Sequence, residues 1–286
     1  MNKYEILEIL YDWNFWERSQ FLGVKRKELL KTLSKLSSEN FIISIIGPRR
    51  SGKSVLIRQF ANELIVKGTD SRDILIVNFE DYKWKDLNLD ALDKIYSVYL
   101  ENISISDKPY IFLDEVQRIS GWERFVRALL EKRKGHIFVS SSNSKILNKE
   151  LATSLTGRNL TMEVFPLSFV EFLKFKKIII SEKLDIIAHR VEIARFFEEY
   201  LEWGGFPEVS LSKNKKLILQ QYFEDILSKD ISERYKVRRK DKLETLAKFY
   251  LSNISGKITF RKVENFLKIS LATIERFSGY LSEAYL

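Results

Sequence analysis

Short apolar runs alternate with stretches of helical periodicity over the first 165 residues. Five short apolar runs predict strands, at residues 41–46, 74–79, 110–113, 136–140 and 160–165. Between them, apolar positions recur every three or four residues and predict amphipathic helices over 26–36, 53–67, 122–134 and 144–155. Continuous apolar strands that alternate with helices are typical of a parallel sheet covered on both faces. The sequence therefore predicts an α/β fold.

From about residue 169 the apolar pattern is helical throughout, as over 191–203. Three last helices are predicted at 243–254, 260–267 and 271–281, with Thr259 and Ser270 as N-caps. The short connection 268–270 favours a helix-turn-helix. We therefore predict four parts, which are an N-terminal helical segment (1–36), an α/β domain (37–170), a helical domain (171–240) and a helix-turn-helix-like module (241–286).

The composition excludes several kinds of site and of location. The chain has no cysteine, so disulfides, thiolate nucleophiles and thiolate metal sites are excluded, and its two distant histidines do not suggest a zinc site. No apolar run reaches the roughly 18 residues of a membrane span. We expect a cytoplasmic protein without a membrane partner. With 48 Lys and Arg against 39 Asp and Glu, the net charge is +9, which suits a polyanionic partner or an ordinary solvated surface equally well.

One short motif predicts a phosphate site. Residues 47–54 read GPRRSGKS and fit the pattern G-x-x-x-x-G-K-[ST] between a predicted strand and a predicted helix. The glycines allow a tight turn whose N–H groups converge on phosphate oxygens, and the following helix adds its positive end. The predicted nucleotide-binding residues are Gly47, Pro48, Arg49, Arg50, Ser51, Gly52, Lys53, Ser54 and Val55.

Two acids at the end of another strand complete the predicted site. Asp114 and Glu115 follow the apolar strand 110–113, and parallel strands bring their carboxyl ends to one edge of the sheet. We predict that Ser54 and Asp114 hold Mg²⁺ and that Glu115 polarises the attacking water. The competing interpretation is structural, because strand ends often carry acids.

Other polar residues give weaker signals. One predicted strand, 74–79, lies between the motif and the acidic strand, as in ATPases with a catalytic glutamate, and no N-K-x-D tetrapeptide indicates guanine. Ser142 and Asn143 follow the fourth strand, where they could contact the terminal phosphate or simply cap a helix. Arg158 could reach a transferring phosphoryl group or be a surface arginine.

These motifs together resemble a known family. Besides GPRRSGKS, the chain carries Asn14-Phe15-Trp16 with Arg26, LDEVQ (113–117), LTGR (155–158), FPLSFVEFL (165–173), WGGFP (203–207) and KDI (229–231). Over residues 14–286 it resembles the archaeal and bacterial AAA-type, STAND-like ATPases in which an ATPase domain precedes a C-terminal domain of unknown function.

The resemblance implies a P-loop NTPase sheet of the additional-strand type, a helical lid over 171–240 and a helix-turn-helix or winged-helix-like module. It implies binding of ATP and Mg²⁺, and hydrolysis to ADP. It also implies that Gly205 and Pro207 lie in the lid near the adenine. It further implies that Arg158 faces the phosphates of its own or a neighbouring subunit, which would require self-association.

Two departures from the family pattern affect what can be expected. Where relatives have T-G-S after the fourth strand, residues 140–143 read SSSN, so the residue that senses phosphate stays open. Longer relatives continue into a nuclease-like domain, and we expect no nuclease activity from this chain.

The sequence leaves two functions in competition. The first is a Mg²⁺-ATP-dependent ATPase that drives or reports a conformational switch. The alternative is a nucleotide-regulated DNA-binding protein with little or no hydrolysis. In that alternative the predicted helix 271–281 would insert Ala272, Thr273, Glu275 and Arg276 into a major groove, helped by the basic stretch 236–242. Only one of those four residues is basic, so packing or partner docking competes with DNA binding.

Overall fold

The computed structural model describes residues 1–143 and 157–286, so the helix predicted over 144–155 lies outside the described residues. Internal contacts divide the chain into two compact units. The first comprises Met1–Gly47 and Ser51–Phe165, and the second comprises Pro48–Arg50 and Pro166–Leu286. The four-part division predicted from the sequence stays a prediction.

The first unit is built on a parallel sheet of five strands. The strands are β1 (Ile42–Ile46), β2 (Ile74–Asn78), β3 (Tyr110–Asp114), β4 (His136–Ser141) and β5 (Asn159–Glu163). Their spatial order is β2-β3-β4-β1-β5, and every neighbouring pair is parallel. This confirms the predicted α/β class, and the five strands agree with the five apolar runs to within two residues at each end.

Helices cover both faces of this sheet. They are α1 (Lys3–Trp13), α2 (Lys27–Leu36), α3 (Lys53–Val66), α4 (Leu89–Asn102) and α5 (Trp122–Glu131). One buried cluster joins α1, α4 and α5 to the sheet, and a second joins α2 and α3 to its other face. Because β1, β2, β3 and β4 are buried on both faces, their apolar residues run almost without alternation, whereas Thr161 and Glu163 of β5 are exposed. The pattern did not single out α1 or α4.

The strand order decides what meets at the carboxyl edge. Strand β4 lies between β1 and β3, so the chain leaving β1 and the acids ending β3 flank the end of β4. Ile46 pairs with Ser141 in register, which places the end of β4 beside the start of the GPRRSGKS loop. This insertion of a strand between β1 and β3 is the additional-strand arrangement.

The described residues of the second unit form helices joined by loops, with no strand among them. Its helices are α6 (Phe169–Phe175), α7 (Lys183–Ala188), α8 (Arg190–Trp203), α9 (Pro207–Leu211), α10 (Lys215–Asp225), a π-helix (Ile226–Glu233), α11 (Lys240–Leu251), α12 (Phe260–Leu267) and α13 (Leu271–Glu283). An aromatic cluster links α6 to α8, and a separate core joins the π-helix to α11, α12 and α13.

The caps of the last two helices differ from each other. The Thr259 side chain accepts a hydrogen bond from the Lys262 N–H, as predicted for an N-cap. Ser270 makes no such cap, because its hydroxyl bonds instead to the hydroxyl of Thr273 at 2.9 Å. The expectation of a side-chain cap at Ser270 is therefore wrong, although α13 begins where predicted.

No helix among the described residues is both long and apolar enough to cross a bilayer.

Candidate functional site

The loop after β1 can form only with glycine at its first position. Gly47 has φ +149°, and a Cβ there would lie 2.1 Å from the backbone oxygen of Val164. Gly52, at the end of the loop, has φ +97°, and Arg50 has φ +67°. Left-handed residues in a tight turn leave successive N–H groups available to an anion. The backbone of 47–52 therefore has the character the motif predicts.

Lys53 is the first residue of α3 and is a buried cation. It is 4% exposed, although lysines are rarely buried unless paired. Its Nζ donates to the Gly47 carbonyl oxygen at 2.9 Å and lies 3.7 Å from Glu115 Oε1. The Gly47 carbonyl oxygen thus holds the Lys53 side chain against the loop, beside the carboxylate of Glu115, which follows β3.

Asp114 ends β3 and is also buried, at 3% exposure. Burial raises the pKa of Asp114, with a further rise from the neighbouring charge of Glu115. Hydrogen bonds from the Ser140 and Ser54 hydroxyls and the charge of Lys53 oppose that rise in the pKa. The carboxyl group therefore lies within reach of Ser54, its predicted partner in holding metal.

Glu115 lies beyond the strand in a strained backbone conformation. Its φ is +56°, which costs free energy in a residue with a Cβ and is common at functional sites. Its N–H donates to Ser140 Oγ at 3.0 Å, and its Oε2 accepts from Gln117 Nε2 at 2.5 Å. With this left-handed backbone, the Glu115 side chain lies beside Lys53. In a continued strand, successive side chains point to opposite faces, so Glu115 would have pointed away from Asp114.

Ser142 and Asn143 lie next to this pair of acids, and both are buried. The Ser142 N–H lies 3.4 Å from Glu115 Oε2, and its hydroxyl accepts from Gln117 Nε2 at 3.4 Å. The Asn143 N–H donates to Ser141 Oγ at 3.0 Å. The loop after β4 therefore adjoins the acids, and which of its side chains senses phosphate stays a prediction.

Comparison with known proteins supplies a family for this geometry. Residues 39–173 match the family model described as an AAA domain, and residues 194–286 match a domain of unknown function, DUF8612. The five-stranded sheet and the loop at residues 47–54 both lie within the residues that match the AAA domain.

The comparisons with individual relatives and solved structures add no function. An uncharacterized protein of Methanocaldococcus jannaschii is 35% identical over 86% of this chain and 56% of its own length. An uncharacterized Haemophilus influenzae protein is 32% identical over 92% of this chain and 65% of its own. The chain thus spans less than two thirds of these relatives. A Walker-type ATPase of Pyrococcus abyssi is similar at 17% identity and a TM-score of 0.48, over 91% of this chain and 89% of its own.

Three residues of the first unit support the site without having been predicted for it. Ser140 bonds both to the Asp114 carboxylate and to the Glu115 N–H. Gln117 holds Glu115 Oε2, and Arg26 donates to the carbonyl oxygens of Ser51 and Phe165, at 3.1 and 2.9 Å. The available signals were that Gln117 and Arg26 fall in the quoted family motifs and that Ser140 begins the stretch SSSN at the end of the fourth strand.

Arg158 lies at the opposite edge of the sheet. It directly precedes β5, its carbonyl oxygen accepts from the Ile42 N–H at the start of β1, and its side chain pairs with Glu131 at 2.5 Å. The phosphate loop follows the other end of β1, so the expectation that Arg158 faces phosphates of its own subunit is wrong. A role toward a neighbouring subunit stays a prediction.

The remaining predicted residues belong to the second unit. Arg49 Nε pairs with Asp230 at 3.0 Å, and Arg50 lies 3.9 Å from Asp225 and over the ring of Tyr222. The backbone packs too closely at Gly205 to admit a side chain, since a Cβ there would lie 2.2 Å from the Leu167 carbonyl oxygen. Pro207 is the first residue of α9. A contact of Gly205 and Pro207 with adenine stays a prediction.

The residues of the loop and of β3 fit a Mg²⁺-triphosphate. The Ser51 hydroxyl is buried and has no hydrogen-bond partner among the described residues, so the loop offers an unused polar atom. Ser54 and Asp114 supply the oxygen ligands that Mg²⁺ prefers, and Lys53 supplies a cation for phosphate. In the described parts of the chain, no group of three or more acidic, histidine or cysteine residues forms a separate metal site.

Proposed function

We propose that the chain binds Mg²⁺-ATP and hydrolyses it to ADP and phosphate, using the energy to drive or report a conformational switch. The observation that carries the proposal is the buried Lys53, which lies 2.9 Å from the Gly47 carbonyl oxygen and 3.7 Å from Glu115. A strand end with only a structural role would not require a cation and a carboxylate to be buried beside a glycine loop.

Lys53, Ser54 and the loop backbone would hold the triphosphate. The side chain of Lys53 would exchange its bond to the Gly47 carbonyl oxygen for phosphate oxygens, and the backbone N–H groups of the loop, which Pro48 lacks, would donate to the remaining phosphate oxygens. Ser54 and Asp114 would hold Mg²⁺, which when bound neutralises charge that develops on the phosphate oxygens. Ser140 would keep the Asp114 carboxylate oriented through its hydrogen bond.

Glu115 would accept the proton of the attacking water. Its carboxylate is held by Gln117 and by the Ser142 N–H, so one geometry is favoured before substrate arrives. Lys53 Nζ lies 3.7 Å from Glu115 Oε1, so a cation stands beside the proposed base. The water oxygen would bond to the γ-phosphorus as the bond from that phosphorus to the bridging oxygen of ADP breaks, and the water proton would pass to Glu115 while Lys53 and the loop hold the separating phosphate.

Two substitutions separate binding from chemistry. Lys53→Ala should weaken ATP binding at least about 10-fold, since a buried cation and its phosphate contact are lost. Glu115→Gln should keep the affinity for ATP and lower kcat by on the order of 10²–10⁴-fold. Calorimetric titration with ATP and a phosphate-release assay measure the two effects.

Exposed residues of the first unit provide matched controls. Lys85→Ala and Glu101→Gln change the same atoms at the surface and should alter neither quantity. Hydrolysis at the parent rate in both the Lys53 and the Glu115 variants would disprove the assignment. An affinity for ATP that is unchanged in Lys53→Ala would show that the loop does not hold the phosphates.

The helical lid remains part of this proposal. We propose that residues near Gly205 and Pro207 close on the nucleotide and report its state to the C-terminal module. The alternative, a DNA-binding regulator with little hydrolysis, gains no specific support from the last three helices. Arg239 of the basic stretch pairs with Asp241 at 3.1 Å, and Arg276 lies over the ring of Phe277.

A further inference from the structure

A groove in the first unit carries an unusual concentration of one charge. It lies along α2 and the end of α3, has a volume of about 550 Å³, and is lined by five lysines, Lys25, Lys27, Lys31, Lys35 and Lys67. Glu63 is the one carboxylate among its lining residues. The ratio of five to one contrasts with 48 to 39 for the whole chain, so a general excess of lysine does not account for it.

Helix α2 contributes a regular row to this groove. Lys27, Lys31 and Lys35 are spaced four residues apart, so they project from one side of the helix at intervals of about 6 Å. Like charges one turn apart oppose helix formation. The row therefore costs the helix stability, and a structural role does not explain its presence.

The lysines are available to a ligand. All five are exposed. Lys27 and Lys35 make no ion pair with any described residue, and Lys67 donates only to the Ser34 hydroxyl, at 3.3 Å. Lys31 pairs with the exposed Glu28 at 3.1 Å, and Lys25 pairs with Glu63 at 3.2 Å. Exposed pairs of this kind contribute little free energy and exchange readily for another anion.

We propose that this groove binds the phosphodiester backbone of a nucleic-acid duplex without reading its sequence. The row from Lys27 to Lys35 spans about 12 Å, which covers three to four phosphates of one strand at about 3.4 Å each along the axis. Lysine acts on phosphate as a point charge, so the contacts require no particular base.

The lining residues also favour a duplex over a single strand. Proteins that hold single strands combine basic residues with aromatic rings on which the bases stack. None of the residues lining this groove in the described structure is aromatic. The proposal is independent of the proposed ATPase activity, because α2 and the end of α3 lie outside the phosphate loop.

The salt dependence of binding tests the proposal. Fluorescence anisotropy with a labelled 30-base-pair DNA duplex of random sequence gives log K against log salt concentration. Each phosphate neutralised contributes about −0.9 to the slope. The variant Lys27→Gln/Lys31→Gln/Lys35→Gln should therefore lose about 2.7 of slope and bind on the order of 10²-fold more weakly at low salt.

Two further variants separate charge from fold and position. The matched control Lys3→Gln/Lys85→Gln/Lys132→Gln removes three exposed lysines of the same unit and should keep most of the slope. The variant Lys27→Arg/Lys31→Arg/Lys35→Arg should restore parent binding, since it restores the charges. Equal slopes for the α2 variant and the control would overturn the proposal.

Three further measurements test another binding site on the chain and other ligands for the groove. Loss of the slope only in Arg238→Gln/Arg239→Gln would place duplex binding in the second unit and overturn the groove. Tighter binding to poly-L-glutamate, or to vesicles rich in anionic lipid, than to the duplex would show that the lysines serve an acidic protein or a membrane. Tighter binding to a single strand of the same sequence would contradict the choice of a duplex.

Discussion

At the scale of the residue, the site depends on a hydroxyl that was not predicted as part of it. Ser140 is fully buried near the end of β4 and bonds to the Asp114 carboxylate at the end of β3 and to the N–H of Glu115, the residue that follows it. A single side chain therefore sets the positions of the proposed metal ligand and of the proposed base. Its position beside both acids follows from the strand order, which no local pattern in the sequence reports.

Ser140→Ala should impair both metal use and stability. The free energy of unfolding should fall by about 1–3 kcal/mol, because two buried groups lose a partner. The Mg²⁺ concentration for half-maximal ATP hydrolysis should rise roughly 10-fold, as for other residues that orient a metal ligand. Metal titration of the phosphate-release rate and urea unfolding measure the two changes.

Ser44→Ala is the matched control for this prediction. Ser44 is equally buried in the neighbouring strand β1, and its hydroxyl donates to Asn159 Oδ1 at 2.5 Å. Its loss should destabilise the fold by a similar amount without changing the Mg²⁺ requirement. A Mg²⁺ requirement that changes equally in both variants would mean that Ser140 acts only through stability.

At the scale of the element, periodicity predicted most of what local sequence can encode. Strands buried on both faces and the amphipathic helices α2, α3 and α5 were located to within a few residues. The GPRRSGKS loop and the acids after β3 were found because their residue types are chemically constrained. The position of Arg158 could not be predicted in this way. Only the register of β5 against β1 places it at the amino ends of the strands, away from the phosphate loop.

We expect replacement by alanine to have opposite effects on the free energy of unfolding at two glycines of the second unit. Gly205→Ala should lower the free energy of unfolding by at least about 2 kcal/mol, because its Cβ would meet the Leu167 carbonyl oxygen at 2.2 Å. Gly279→Ala should raise it by about 0.5–1 kcal/mol, since Gly279 lies inside α13 with open space around it. Urea unfolding monitored by circular dichroism compares them, and equal effects would refute the close approach at Gly205.

At the scale of the whole molecule, the placement of Arg158 makes activity a question of assembly. Its side chain is half exposed, and its ion pair with Glu131 is a surface contact of small free energy. An arginine at the edge far from its own phosphate loop can serve a phosphoryl group only in another copy of the chain. If Arg158 acts in catalysis, each site must be completed by a neighbouring subunit in a head-to-tail arrangement.

Mixing two inactive variants tests this shared site. Arg158→Ala should lower kcat by on the order of 10³-fold, as loss of an arginine finger does, and Glu115→Gln should be inactive for its own reason. In an equal mixture, about a quarter of the sites should combine an intact Glu115 with an intact neighbouring Arg158, because two independent chances of one half multiply. Phosphate release by the mixture should therefore recover to about a quarter of the parent rate.

Arg127→Ala is the control, since Arg127 pairs with the same Glu131 at 3.0 Å and is equally exposed, and it should retain activity alone. A mixture no more active than its two components would leave Arg158 an ordinary surface arginine.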